Sequence, residues 1–133
     1  MNKQIYFAIS YSKRDQFNNE IAKLVNEAKK LGIDVLVFVD RYNFTNNQED
    51  EMMQAAFKEI DASDFLIAEL TYKSIGVGIE VGYAFAKNKP IIYIRKKNSA
   101  YSTTTAGCAD KIIIYKNTAD LIKQLIKFLK DFF

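Results

Sequence analysis

Histidine and tryptophan are absent from this chain of 133 residues, which holds one cysteine, one proline and five glycines. Without histidine, Ser-His-Asp and Cys-His nucleophilic systems, His-ligated metals and imidazole acid–base chemistry are excluded. Cys108 has no partner for an internal disulfide, so a reducing, cytoplasmic compartment is expected, with Cys108 as a small buried residue. One Cys and no His do not make a structural zinc site, and no metal or cofactor is expected. No apolar run approaches the roughly 18 residues of a membrane span. The start Met1-Asn2-Lys3 runs into a strand-like segment without a signal-peptide pattern. Nineteen basic against 16 acidic residues leave a net charge of +3. That is too mild for a nucleic-acid surface, although it suits an anionic small molecule.

What is present is an ordinary globular composition, 49% hydrophobic and 26% charged. A chain of this size supports one domain, residues 1–133, with a core that needs no staples. Chemistry must come from carboxylates, Tyr, Lys, Arg, Ser or Thr.

Strand-like and helix-like segments alternate. Ile5–Ile9, Ile33–Val39, Asp64–Leu70, Ile91–Arg95 and Lys111–Tyr115 are short continuous apolar runs, the pattern of strands buried on both faces. Phe17, Ile21, Leu24, Val25, Ala28 and Leu31 recur at helical spacing, and Gly32 closes that helix. Residues 40–49 are polar and Asn-rich, a predicted loop. Asn47 is a predicted cap for a helix to Asp61 that carries Met52, Met53, Ala56 and Ile60 on one face. Val77–Lys87 is a third helix, stopped by Pro90. A long polar loop is expected over Lys96–Gly107. Thr118 is the expected cap of a last helix bearing Leu121, Leu125, Leu129 and Phe132. This order predicts an α/β, doubly wound, flavodoxin-like fold: a parallel five-stranded sheet, order 2-1-3-4-5, with helices on both faces. Ligands in such folds bind where the chain reverses direction, beyond the carboxyl ends of strands one and three.

The loop after strand one, Ser10-Tyr11-Ser12-Lys13-Arg14-Asp15, sets hydroxyls and two cations ahead of a helix. It is either a phosphate or sugar contact or a capped, solvated turn. The loop after strand three carries Gly76 and Gly78, which permit close approach of a ligand to the backbone, but its G-x-G-x-x-x-G spacing is not the dinucleotide fingerprint. Glu80 is expected in the first turn of the following helix, facing the crevice. There the dipole favours the carboxylate a nucleophile or base needs. A purely dipole-complementing Glu80 is the other possibility. Glu69, at the end of strand three, is a second candidate carboxylate or simply a polar residue where the strand emerges. Tyr6 is a candidate phenol for the crevice or a core aromatic.

Three stretches resemble the nucleoside 2-deoxyribosyltransferase family, and within it the 2'-deoxynucleoside 5'-phosphate N-hydrolases. They are Ile5-Tyr6-Phe7, the stretch DFLIAELTYKSIGVGIEVG from Asp64 to Gly82, and STTTAGCAD from Ser102 to Asp110. The resemblance implies an enzyme that cleaves the N-glycosidic bond of a nucleoside 5'-monophosphate, by hydrolysis or transfer. It implies a catalytic Glu80 at C1' of the sugar, and a Tyr6 that orients it. Phosphate contacts are implied at Ser10, Ser74, Gly76 and Ser102, the last reaching into a neighbouring subunit of a homodimer with shared sites. The chain departs from the family pattern at Ala56, where an aspartate usually stands.

A second resemblance points to a different class. Tyr6-Phe7-Ala8-Ile9-Ser10-Tyr11-Ser12, with Asp15, is similar to the first motif of TIR domains, some of which cleave NAD with a glutamate while others only bind partners. A non-catalytic nucleotide binder is the third reading.

Overall fold

A computed structural model describes residues 3–132; the Met1-Asn2 start lies outside them. The strands are β1 (Lys3–Ala8), β2 (Ile33–Val37), β3 (Phe65–Glu69), β4 (Ile91–Lys96) and β5 (Lys111–Tyr115). They form one parallel sheet in the order β2-β1-β3-β4-β5. The predicted flavodoxin-like order is therefore the observed one. The helices are α1 (Asn18–Lys29), α2 (Phe38–Arg41), α3 (Glu49–Asp61), α4 (Ile75–Ala86), α5 (Thr103–Cys108) and α6 (Thr118–Phe132). No helix among the described residues is long and apolar enough to cross a membrane.

Strand alternation divides the core in two. Ile5, Phe7, Ile67, Ile92 and Ile94 point to the face covered by α1 and α6, against Ile21, Leu24, Leu121 and Leu125. Tyr6, Ala8, Leu66, Ala68 and Tyr93 point to the other, against Ala56 and Ile60 of α3 and Val77, Val81 and Ala84 of α4. Gly32 follows α1 with φ +76°, the left-handed conformation that makes glycine the natural residue there.

Several local expectations are corrected. The second strand stops at Val37, because Phe38–Arg41 turn into a helical segment. Gln48, not Asn47, occupies the start of α3, its amide oxygen accepting from the Thr45 N–H at 2.9 Å. Asn117 caps α6 through the Asp120 N–H at 2.8 Å, while the Thr118 hydroxyl donates instead to Glu20 on α1. The supposed loop Lys96–Gly107 contains α5, whose Thr105 is buried. Cys108 is partly exposed rather than buried.

Two aspartates finish the amino-terminal edge of the sheet. Asp64 accepts the Gln4 N–H and Asp110 the Ile91 N–H, at 2.8 and 2.9 Å. Each gives a strand N–H a partner that the ladder leaves out.

Glu69 is 2% exposed. It shares the α1/α6 face with Phe65 and Ile67, accepting from the Tyr115 hydroxyl at 2.5 Å and the Thr71 N–H at 2.6 Å. Burial raises its pKa above the ordinary carboxylate value, against the lowering effect of those donors. Tyr115→Phe leaves one buried oxygen without its donor, which costs roughly 1–3 kcal/mol. Urea unfolding should show that loss as a lower midpoint with an unchanged slope; an unchanged midpoint would show that the pair contributes nothing.

Candidate active site

Glu80 and Tyr6 form the centre of the site. Tyr6 is fully buried in β1, and its hydroxyl donates to Glu80 Oε2 across the gap between sheet and helix. α4 begins at Ile75, capped by the Ser74 hydroxyl, which accepts the Val77 N–H at 3.3 Å. Glu80 is therefore the sixth helical residue and sits in the second turn, not the first. The dipole acts mainly within the first turn, so it is not what governs this carboxyl. Desolvation is. Burial raises the Glu80 pKa to about 7, opposed by the Tyr6 hydrogen bond, which lowers it. The Tyr6 phenol is in turn pushed far above its usual value, by burial first and then by the Glu80 charge.

Glu80 lies at the wall of a cavity of about 560 Å³. Much of its lining is aromatic and comes from the end of the expected second strand and the expected loop after it. Phe38 packs 5.9 Å from Tyr6 and 4.8 Å from Tyr42, and Tyr42 lies 5.8 Å from Phe44 with the rings 8° from parallel. The Tyr42 hydroxyl donates to Glu59 on α3 at 2.7 Å, which raises the Tyr42 pKa. Met52, Met53 and Ala56 of α3 complete the wall, Ala56 being 1% exposed. The sequence pattern places these methionines on one face of a helix but does not single out the aromatics as a site. The available signal was three aromatic residues, Phe38, Tyr42 and Phe44, within seven positions at the carboxyl end of a strand.

A second cavity, of about 400 Å³, has Ser74 in common with the first as a lining residue. Hydroxyls line it: Ser74 and Ser102 with Thr103, Thr104 and Thr105, beside Lys73 and Gly78. Ser102 caps the short α5, its hydroxyl accepting the Thr105 N–H at 3.3 Å. The chain thus brings Ser74, Gly76, Gly78 and Ser102 around the start of α4, with Lys73 and the threonines as additions the sequence did not single out.

The loop after β1 behaves differently from expectation. Tyr11–Phe17 form a 3-10 helix, and no side-chain hydrogen bond caps it. Ile9 and Tyr11 line the aromatic cavity but Ser10 between them does not; its hydroxyl lies 3.2 Å from that of Ser12. Arg14 is held by Asp40 through three contacts of 2.8–3.1 Å and by Asn18 at 2.8 Å, so its guanidinium is committed. Lys13 lies over the Tyr72 ring at 4.8 Å. Neither cation, nor Ser12, lines the cavity of Glu80. Glu69 is on the opposite face of the sheet. Among the described residues, no cluster of three or more His, Cys, Asp or Glu is placed to hold a metal ion.

The Glu80 geometry makes a direct prediction. A carboxyl whose folded pKa is raised favours the fold below the ordinary glutamate value of 4.5, and that contribution is lost as pH rises toward about 7. Thermal stability of the native chain should therefore fall relative to Glu80→Gln between pH 4.5 and 7. Carboxyl-carbon NMR should find Glu80 titrating near 7, and Tyr6→Phe should move that titration higher. An ordinary value near 4.5, or no response to Tyr6→Phe, would contradict the geometry.

Comparison with known proteins places this site in a lineage. A protein of Thermofilum pendens, provisionally named a 2'-deoxynucleoside 5'-phosphate N-hydrolase, is 26% identical over 84 residues, a stretch covering 59% of each chain. The chain thus spans less than two thirds of that relative. A CMP N-glycosidase of Clostridium botulinum superposes with a TM-score of 0.71 at 22% identity, covering 92% of this chain and 98% of the other. A 2-deoxyribosyltransferase of Bacillus psychrosaccharolyticus gives 0.68 at 14% identity, with 90% of each chain covered. These likenesses establish a shared fold. The profile of one family matches residues 5–124, from β1 into α6, and so takes in Tyr6, Ser74, Glu80 and Ser102. The chain belongs to the nucleoside 2-deoxyribosyltransferase family.

Proposed function

We propose that this chain is an N-glycosidase acting on a nucleoside 5'-monophosphate, with Glu80 as the group at C1' and water or a second base as acceptor. One observation carries the reading: a carboxylate hydrogen-bonded by a buried tyrosine lines an aromatic cavity, and Ser74, on the wall of that cavity, also lines a hydroxyl-rich one. Breaking the base–sugar bond develops positive charge at C1'. A carboxylate held there traps or stabilises that charge. Tyr6 fixes the carboxylate and keeps it partly ionised near neutral pH. The aromatic rings suit the flat face of a base. Ser74, Ser102 and the threonines, with Lys73, suit a phosphate whose binding energy is remote from the bond that breaks. Because Arg14 is paired with Asp40, the phosphate reading rests on the α4 side of the crevice and not on the cations after β1. A nucleotide substrate and a lone free thiol both fit a cytoplasmic setting.

The homodimer belongs to the same proposal and has its own support. α4 turns Ile75, Ile79 and Phe85 to solvent, at 86%, 49% and 56% exposure. Gly78 and Gly82 lie on the same helix, and a Cβ at either would meet nothing within 4 Å. Glycine inside a helix costs about 1 kcal/mol relative to alanine, and packing within the chain gives no return for it. A second copy on this apolar stripe would use both the bare backbone and the exposed side chains. Ile75 and Gly78 also line the cavity of Ser102, so this stripe runs beside the residue that the shared-site reading assigns to the interface.

Glu80→Gln should reduce base release by orders of magnitude and leave the fold intact; near-normal turnover in the folded variant would remove Glu80 from the mechanism. A 5'-monophosphate should outperform its nucleoside, since each charge-assisted hydrogen bond contributes roughly 1.5–3 kcal/mol. Equal rates would instead indicate a plain deoxyribosyltransferase, and cleavage of NAD alone a TIR-like enzyme.

Subunit mixing tests the shared site. Ser102→Ala should weaken monophosphate binding with little effect on stability. With an excess of Glu80→Gln subunits, exchange builds hybrid dimers in which one site pairs an intact Glu80 with a partner's Ser102, and affinity at that site should return. No return despite proven exchange, or a monomer at working concentration, rules out sharing and leaves Ser102 acting within its own chain.

A further inference from the structure

Resting on the N-glycosidase reading, we propose that the aromatic cavity selects nucleotides whose departing ring is already cationic, a pyridinium or N7-alkylpurinium nucleoside 5'-monophosphate. The proposal follows from the proton donors the cavity holds.

When the C1'–N bond breaks, its electron pair goes to the ring nitrogen. A neutral base then leaves as an anion unless an acid protonates it. A cationic ring takes the pair and leaves neutral, with no proton required. Among the described residues lining the cavity, Glu80 is the one carboxyl, and the reaction at C1' occupies it in its ionised form. The part of the lining that comes from α3 offers the methyl of Ala56, 1% exposed, and the thioethers of Met52 and Met53, and the neutral polar lining residues, Asn43, Asn46 and Ser74, carry no acidic proton. The nearby phenols are committed or open to solvent. Tyr6 donates to Glu80, Tyr42 donates to Glu59 at 2.7 Å, and Tyr11 is exposed. Glu59 itself accepts from Tyr42, lies 3.8 Å from Arg41 and does not line the cavity. An acid for the leaving base is therefore what this wall lacks.

What it has suits a flat cation. Phe38, Tyr42 and Phe44 present closely stacked rings, and aromatic faces attract cationic rings through the negative face of the π-system. Neither Lys nor Arg is among the described lining residues. Glu80 supplies the negative charge that complements both the cationic ring and the developing charge at C1'. The balance closes with water alone. The Glu80 carboxylate forms a bond to C1' as the C1'–N bond breaks and the neutral ring departs. Water then hydrolyses the ester, returning Glu80 and releasing a sugar 5-phosphate and one proton.

The test is a matched panel: 7-methylguanosine 5'-monophosphate against GMP, and nicotinamide mononucleotide against CMP and dCMP. Free base is measured by chromatography, with uncatalysed rates run alongside. The native chain should cleave each cationic member at least 100-fold faster in kcat/KM than its neutral counterpart, after correction for uncatalysed lability. Ala56→Asp places a carboxyl on the acid-poor wall, where burial keeps it protonated. It should shrink the gap between 7-methylguanosine monophosphate and GMP at least tenfold, by raising GMP cleavage. Met53→Glu, at a less buried position on the same wall, serves if Ala56→Asp does not fold. If GMP, CMP or dCMP is cleaved by the native chain as fast as its cationic counterpart, the preference is overturned while the N-glycosidase reading stands. If no member of the panel releases base, even with a second free base added as acceptor, both are overturned.

Discussion

The hydrogen bond from Tyr6 to Glu80 joins the middle of the sheet to the helix that begins at the crevice, and the geometry of the site follows from it. Tyr6 can make that bond only because β1 is central, with β2 on one side and β3 on the other. Glu80 can accept it only because α4 starts at Ile75 and turns its sixth residue inward. The bond is formed at the edge of an apolar layer, so its two partners are poorly solvated. Desolvation holds the carboxyl near neutrality, and the phenol's donation keeps it from rising further. A group balanced in this way is available as an anion at physiological pH without losing its place.

Around that pair the molecule separates its polar groups by task. The aspartates at the amino-terminal edge, Asp64 and Asp110, complete strand hydrogen bonding far from the crevice. Both fall in stretches that carry the family resemblance, yet their visible work is on the backbone. Glu69 is buried on the opposite face, where Tyr115 and Thr71 satisfy it. Arg14 and Asp40 pair after β1 and β2. With these groups engaged elsewhere, Glu80 is the one charged residue among the described residues lining its cavity, beside aromatic rings, thioethers, aliphatic groups and the neutral polar side chains of Asn43, Asn46 and Ser74.

The strand order and the two-sided core are legible in the sequence, whereas Glu80 and Tyr6 stand there as candidates beside plainer readings, a dipole-complementing glutamate and a core aromatic. Continuous apolar runs alternating with helical periodicity leave few arrangements, and the parallel sheet is the one that covers both faces. The misplaced features were local. Phe38–Phe44 were read as the end of a strand and a polar loop, because Asn43, Asn46 and Asn47 outweigh three aromatics in a short window. Thr118 is the cap expected from sequence, whereas the adjacent Asn117 takes that place, since both side chains are competent and only the backbone decides between them.

By itself, the sequence determined the fold class and the kind of chemistry. A chain without histidine must use carboxylates and hydroxyls, and hydrophobic periodicity is a property of the chain that survives into the fold. Tertiary structure alone decided which polar groups are spent on one another. Arg14 and Asp40 stand 26 positions apart, and Glu69 and Tyr115 46. No local pattern encodes such distances. Tertiary structure also decided that burial, not a helix dipole, sets the charge of Glu80. Desolvation depends on everything that surrounds a group, and those neighbours are assembled only when the sheet and α4 close together.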